Sequence, residues 1–82
     1  MFDFYVNQQY IIEFDGEQHY KPIDYFGGQE ALIATQKRDQ IKNSYCFNHN
    51  IPIIRIPYDK IEDISLETIT PATSKYLLQK EN

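Results

Sequence analysis

The 82-residue chain predicts an α/β fold, and three observations predict it. Two short aromatic and β-branched runs flank three polar residues; a long segment free of Pro and Gly follows; an almost continuous apolar run of strand length comes after that. In this order they read as a β-hairpin and a parallel strand joined by a long crossover helix.

The hairpin runs over residues 2–6 and 10–14, with Asn7-Gln8-Gln9 as its loop. That loop pairs Val6 with Tyr10, Phe4 with Ile12, Phe2 with Phe14 and Asp3 with Glu13. One face is then apolar and the other carries Asp3, Glu13 and Asp15; a slip of two residues leaves these acids on one side, whereas a slip of one would turn them over. Asp15-Gly16 ends the second strand. Residues 21–28 (KPIDYFGG) hold the Pro and Gly-Gly punctuation of a loop leading into a helix, and are expected to line a site.

Residues 29–48 form the predicted helix, with Leu32, Ile33, Ile41 and Tyr45 at near-helical spacing and Lys37, Arg38 and Lys42 on the polar side. Residues 51–57 (IPIIRIP) read as a central strand covered on both faces, with Pro52 tolerated only near its beginning. Residues 58–82 suggest one or two short helices and a frayed tail. The organisation expected is a core over 1–58 followed by a C-terminal segment over 59–82.

Composition narrows the function classes. A hydrophobic share of 41% with seven tyrosines and five phenylalanines argues for a folded domain, and the length allows one. A single Cys46 and two histidines give neither an internal disulfide nor a zinc cluster. No apolar run is long enough to span a membrane and the first residues do not resemble a secretory signal, which points to a reducing, cytoplasmic setting. A net charge of −4 counts against a nucleic-acid partner, but the charges are segregated: Glu13, Asp15 and Glu17 in one cluster, Lys37, Arg38 and Lys42 in another. A metal ion would neutralise the first cluster.

Carboxylates converging from adjacent strands are what Mg²⁺ requires of a protein, namely hard oxygen ligands with positions left for water and phosphate. Asp3, Glu13 and Asp15 supply them, and His19, four residues beyond Asp15, is placed to take or give a proton. Acids on the exposed face of a hairpin are more often a solvated surface, and a lone histidine more often a surface residue. The conjunction of an acidic face, Gly16 permitting close approach, and His19 at the strand exit favours the site. Arg55 reads equally well as a partner of a site carboxylate or as a surface cap of its strand. Tyr20, Tyr25 and Phe26 suit either a wedge against DNA or core packing, and Cys46 reads as core.

The segments FDFYV, IIEFDGEQHY, YFGG, KRDQIKNSYC and IPIIRIPY together resemble the very-short-patch-repair-like endonuclease domains of the PD-(D/E)XK superfamily, including the EDxHD group of phage-encoded and homing endonucleases. The resemblance covers residues 2–58. It implies a restriction-endonuclease-like core, with Asp3 as a metal ligand, Glu13 and Asp15 on the (D/E)XK strand, His19 as the active-site histidine, and Asp39 orienting a histidine or the hydrated metal. The motif lysine is absent. The family's N-terminal helix and its acidic residue have no counterpart either, which suggests a piece of a longer reading frame or a truncated copy.

The expectation is a Mg²⁺- or Mn²⁺-dependent endonuclease that hydrolyses DNA phosphodiesters, of homing or nicking type, in the cytoplasm of a bacterial or phage-infected cell. Metal would rest on Asp3, Glu13 and Asp15, with Lys37, Arg38 and Lys42 on phosphates. Base recognition would rest on loops or attached domains, and the expected partners besides DNA are a second copy in a homodimer or a separate DNA-recognition domain in a longer chain. The alternatives are a non-catalytic DNA-binding or assembly module with the same fold, and an enzyme acting on RNA or branched DNA.

Overall fold

The computed structural model describes residues 3–80. Strands β1 (Phe4–Val6), β2 (Tyr10–Asp15) and β3 (Ile53–Pro57) form one mixed sheet in the order β1-β2-β3, and helix α1 (Gly28–Asn48) connects β2 to β3. The fold is therefore a small α/β unit.

The hairpin register is the one expected: Val6 faces Tyr10 and Phe4 faces Ile12. Asn7 and Gln8 both take positive φ, the combination of a type I′ turn, and the Gln9 amide donates to the Val6 carbonyl at 2.9 Å. The expected Phe2–Phe14 pair involves a residue outside the described ones. β3 runs parallel to β2, with Glu13 beside Arg55 and Asp15 beside Pro57.

Two glycines admit the chain to α1. Gly27 has φ 100° and Gly28 φ 64°, values a side chain would make costly, so the helix starts at Gly28, one residue earlier than expected. At the other end Asn50 is left-handed (φ 56°), the Ile51 amide donates back to the Cys46 carbonyl (2.8 Å), and the Asn50 amide to Phe47 (3.3 Å). This is a Schellman stop, and it directs the chain into β3. Pro52 lies just before that strand, contributing only its carbonyl, which accepts from the Ile11 amide.

The sheet has a layer on each side. Ile12, Ile54 and Ile56 point away from α1 into a cluster completed by Val6, Tyr10, Phe14, Ile69, Tyr76 and Leu77. Ile11 and Ile53 point towards α1 and meet Cys46, with Phe47, Ile51 and Leu78 around them.

Three expectations need correction. β3 is covered on both faces, but it is not central; β2 is. The outer edge of β3 is closed by the C-terminal segment, where Ile54 bridges Leu77, the Arg55 amide donates to Tyr76 (3.2 Å) and the Leu78 amide to Ile53 (2.9 Å). The C-terminal region holds one 3₁₀ stretch, Tyr58–Asp63, then turns, and it is hydrogen-bonded through Leu78 rather than frayed. Finally, the apolar stripe read from α1 is not its inner face. Leu32 is buried, but Ile33, Ile41 and Tyr45 are exposed, and the residues α1 buries are Leu32, Thr35 and Cys46. On the acidic face of the hairpin, α1 covers Glu13 and Asp15, which are 4% and 5% exposed, while Asp3 stays exposed.

Candidate functional site

Odd-numbered residues of β2 and β3 face α1, so period-2 alternation sets Ile11 and Ile53 at one end of this interface and Glu13, Asp15 and Arg55 at the other. A polar row on α1 meets the charged end. Thr35, Asp39, Asn43 and Cys46 follow one another at three- and four-residue spacing and so share a face, with Lys42 beside Asn43 three residues after Asp39.

Asp15 is the centre. Arg55 Nη1 lies 2.8 Å from its Oδ1, His19 Nδ1 3.8 Å from the same oxygen, and the Tyr20 hydroxyl donates to Oδ2 at 3.5 Å. His19 comes back over Asp15 because the 3₁₀ turn Glu17–His19 begins immediately after Gly16. Gly16 itself has an ordinary φ of −68°, and the space beside it holds the side chain of Gln18. The close approach it permits is that of the Gln18 side chain, which a Cβ at this position would meet.

Asp39 Oδ2 lies 2.7 Å from His19 Nδ1 and its Oδ1 3.5 Å from Arg55 Nη1. An ionised carboxylate can only accept, so the neutral imidazole carries its proton on Nδ1 and leaves Nε2 as acceptor. Arg55 also donates through Nε to Asn43 Oδ1 at 2.9 Å, while its buried Nη2 has no hydrogen-bond partner. Of the two readings held open for Arg55, pairing with a site carboxylate is the one observed.

Glu13 sits along the same wall, 3.4 Å from Lys42 Nζ. Burial raises its carboxyl pKa above the ordinary value; the Lys42 charge opposes this and Asp3 adds to it. Burial also raises Asp15, against the pull of Arg55 and His19. Tyr20 is pushed up to about 12 by burial and by the Asp15 carboxylate it faces, so it remains a hydroxyl donor at neutral pH.

The predicted site residues separate into two groups. Asp15, His19 and Asp39 each bring a ligating atom to within 4.8 Å of the others. Of the expected metal triad of Asp3, Glu13 and Asp15, Asp15 belongs to this convergence, while Glu13 and Asp3 lie along the adjoining wall. Asp3 is exposed and its carboxylate accepts the Phe14 amide (2.8 Å). It still lines, with Glu13, Gln18, His19, Thr35, Arg38, Asp39 and Lys42, an open cleft of about 440 Å³. Arg38 reaches the cleft and donates to Thr35 Oγ1 (3.2 Å); Lys37 is exposed and not part of its wall.

Asn43 and Thr35 were not anticipated. Their signal was the spacing Thr35-Asp39-Asn43, one residue per helical turn, which marks a polar inner stripe once Asp39 is taken as inward-facing. Tyr25 is 91% exposed, which excludes the core packing considered for it, and its ring meets Phe26 edge-on. Cys46 is core, as read. Among the described residues no helix is long and apolar enough to cross a membrane.

Comparison with known proteins returns two viral relatives. The chain is 39% identical over 54 residues to Uncharacterized protein 307L of Invertebrate iridescent virus 6, a match covering 65% of this chain and 27% of that protein. It is 36% identical over 55 residues to Uncharacterized protein 033L of Invertebrate iridescent virus 3, covering 65% and 28%. No family model matches, and no solved structure matches. The matched part thus spans about a quarter of the length of these relatives.

Proposed function

We propose that the chain is the catalytic core of a metal-dependent DNA endonuclease, with a restriction-endonuclease-like βαβ arrangement and phosphodiester hydrolysis as its reaction. One observation carries this reading: a strand, a 3₁₀ turn and a helix bring Asp15, His19 and Asp39 together beside a cleft that Arg38 and Lys42 also line. Chains bury two carboxylates next to a histidine at a substantial cost in stability, and such arrangements concentrate at functional sites.

The donor set fits a hard divalent cation, because carboxylate oxygens suit Mg²⁺ and Mn²⁺. Asp15 and Asp39 would hold it, with Glu13 further along the same wall. When bound, the ion would supply Lewis-acid polarisation of a phosphate oxygen and activation of water. His19, with Nδ1–H directed at Asp39, presents Nε2 to accept a proton from the attacking water. Arg38 and Lys42 attract the phosphate backbone, and Lys42, paired with Glu13, provides a cation where the motif strand has none.

Supercoiled plasmid tests the reading. The purified chain should nick it in Mg²⁺ or Mn²⁺ but not in EDTA, and Asp15→Asn should abolish the cutting. A well-folded chain that never cuts favours the binding-module reading. The Arg55 contacts to Asp15 and Asp39 support that second reading, since they neutralise the cluster from within. Parallel RNA and branched-DNA substrates separate the remaining alternatives.

A further inference from the structure

Arg55 is the feature the proposed chemistry leaves unused. It lies forty residues from Asp15, is nine-tenths buried, and places Nη1 2.8 Å from Asp15 and 3.5 Å from Asp39, the two carboxylates that would share a metal. Asn43 fixes its Nε, and Nη2 is buried without an acceptor. A guanidinium placed only to saturate hydrogen bonds would not leave a buried donor unmet; this one stands where its charge reaches both carboxylates.

We propose that Arg55 is the resident cation of the site: it holds Asp15 and Asp39 together in the absence of metal and, by repelling a divalent ion, sets how tightly that ion is held. The inference rests on the metal reading above. Without a positive charge, two carboxylates this close, Asp15 buried and Asp39 partly so, repel one another and separate. Arg55 opposes this separation. The same charge sits within a few ångströms of any ion bound by these oxygens, in a partly buried setting where Coulomb terms are large. Arg55 is thus a positioning residue whose presence weakens metal binding, which is the reverse of what a purely structural contact would do.

The test measures Mn²⁺ binding by calorimetry on the wild-type chain, Arg55→Met and Arg55→Gln, with Arg55→Lys retaining the charge. A folded neutral variant should bind Mn²⁺ at least about tenfold more tightly than wild type, and Arg55→Lys should stay much closer to it. If a neutral variant is unfolded without metal, Mn²⁺ should restore its circular dichroism, because the ion takes over the role of the missing cation. Equal or weaker binding by a folded neutral variant, or no rescue of an unfolded one, overturns the proposal. Absence of Mn²⁺ binding to folded wild type and folded neutral variants alike overturns the metal reading itself, and this inference with it.

Discussion

The two ends of the α1–sheet interface are built from the same strands, the same helix and the same alternation, yet they do opposite things. At one end Ile11 and Ile53 close on Cys46, each 2% exposed or less. One turn up the helix, Glu13, Asp15 and Arg55 meet Asp39, Lys42 and Asn43. The apolar end gains free energy from every methylene it removes from water. The charged end spends much of its Coulombic gain on desolvation, as the raised carboxyls of Glu13 and Asp15 record. The interface is thus well packed at one end and electrostatically expensive at the other.

The comparison can be broken most sharply from the charged end. His19→Ala should lower metal-dependent cutting by about 10²–10⁴-fold, since it removes the proposed proton acceptor, and should also lower the urea midpoint, because Asp39 loses its partly buried partner. Asp39→Ala, which removes a carboxylate proposed to hold the metal as well as the partner that orients the imidazole, should lower cutting by at least about 10–100-fold. Plasmid nicking rates measure both.

From the apolar end the effects reverse. Ile53→Ala should cost about 2–5 kcal/mol in urea unfolding, because a fully buried side chain leaves a cavity against Cys46 and Ile11. Once the protein is folded, its Mn²⁺ affinity should remain that of wild type.

The pH dependence of stability sharpens the contrast further. Glu13 and Asp15 hold protons more tightly folded than unfolded, so their stabilising contribution is largest when they are protonated and is lost as pH rises from their ordinary values of 4.5 and 3.8 through the raised ones. Metal-free protein should therefore gain stability from these groups on mild acidification from neutral pH, a gain that Glu13→Gln and Asp15→Asn remove. Asp63 behaves oppositely: Lys75 and Tyr76 hold its carboxyl below 3.8, so its contribution is present above that value and lost as pH falls through the lowered one. Urea midpoints between pH 4 and 7 read the first effect largely apart from the second.

The smallest expected change concerns Lys42. Lys42→Met removes the strongest influence holding the Glu13 carboxyl down, so Glu13 should titrate still higher, as read by carbon-13 NMR of the side chain.

Local chemistry made much of this legible. The hairpin register followed from a three-residue loop and a one-sided apolar pattern, the helix from Gly-Gly before it and the absence of breakers within it, and β3 from a β-branched run behind Pro52. His19 was named from its place at the strand exit and Asp39 from a resemblance, and the structure brings them to 2.7 Å. The inner face of α1 was misread for a physical reason. Apolar periodicity locates the buried face only when what lies opposite is apolar, and half of what α1 covers is charged, so its buried stripe is Thr35 and Cys46 while Ile33 and Ile41 face solvent.

What the sequence by itself determined is the set of elements and their order, because φ/ψ preference, alternation and turn chemistry act between near neighbours. Tertiary structure decided which charges meet. Arg55 reaches Asp15 across forty residues, Lys42 reaches Glu13 across twenty-nine, and Tyr76–Leu78 closes the edge of β3. These contacts depend on how α1 lies on the sheet and where the C-terminal segment docks, and no local pattern encodes a distance between segments that only packing brings together.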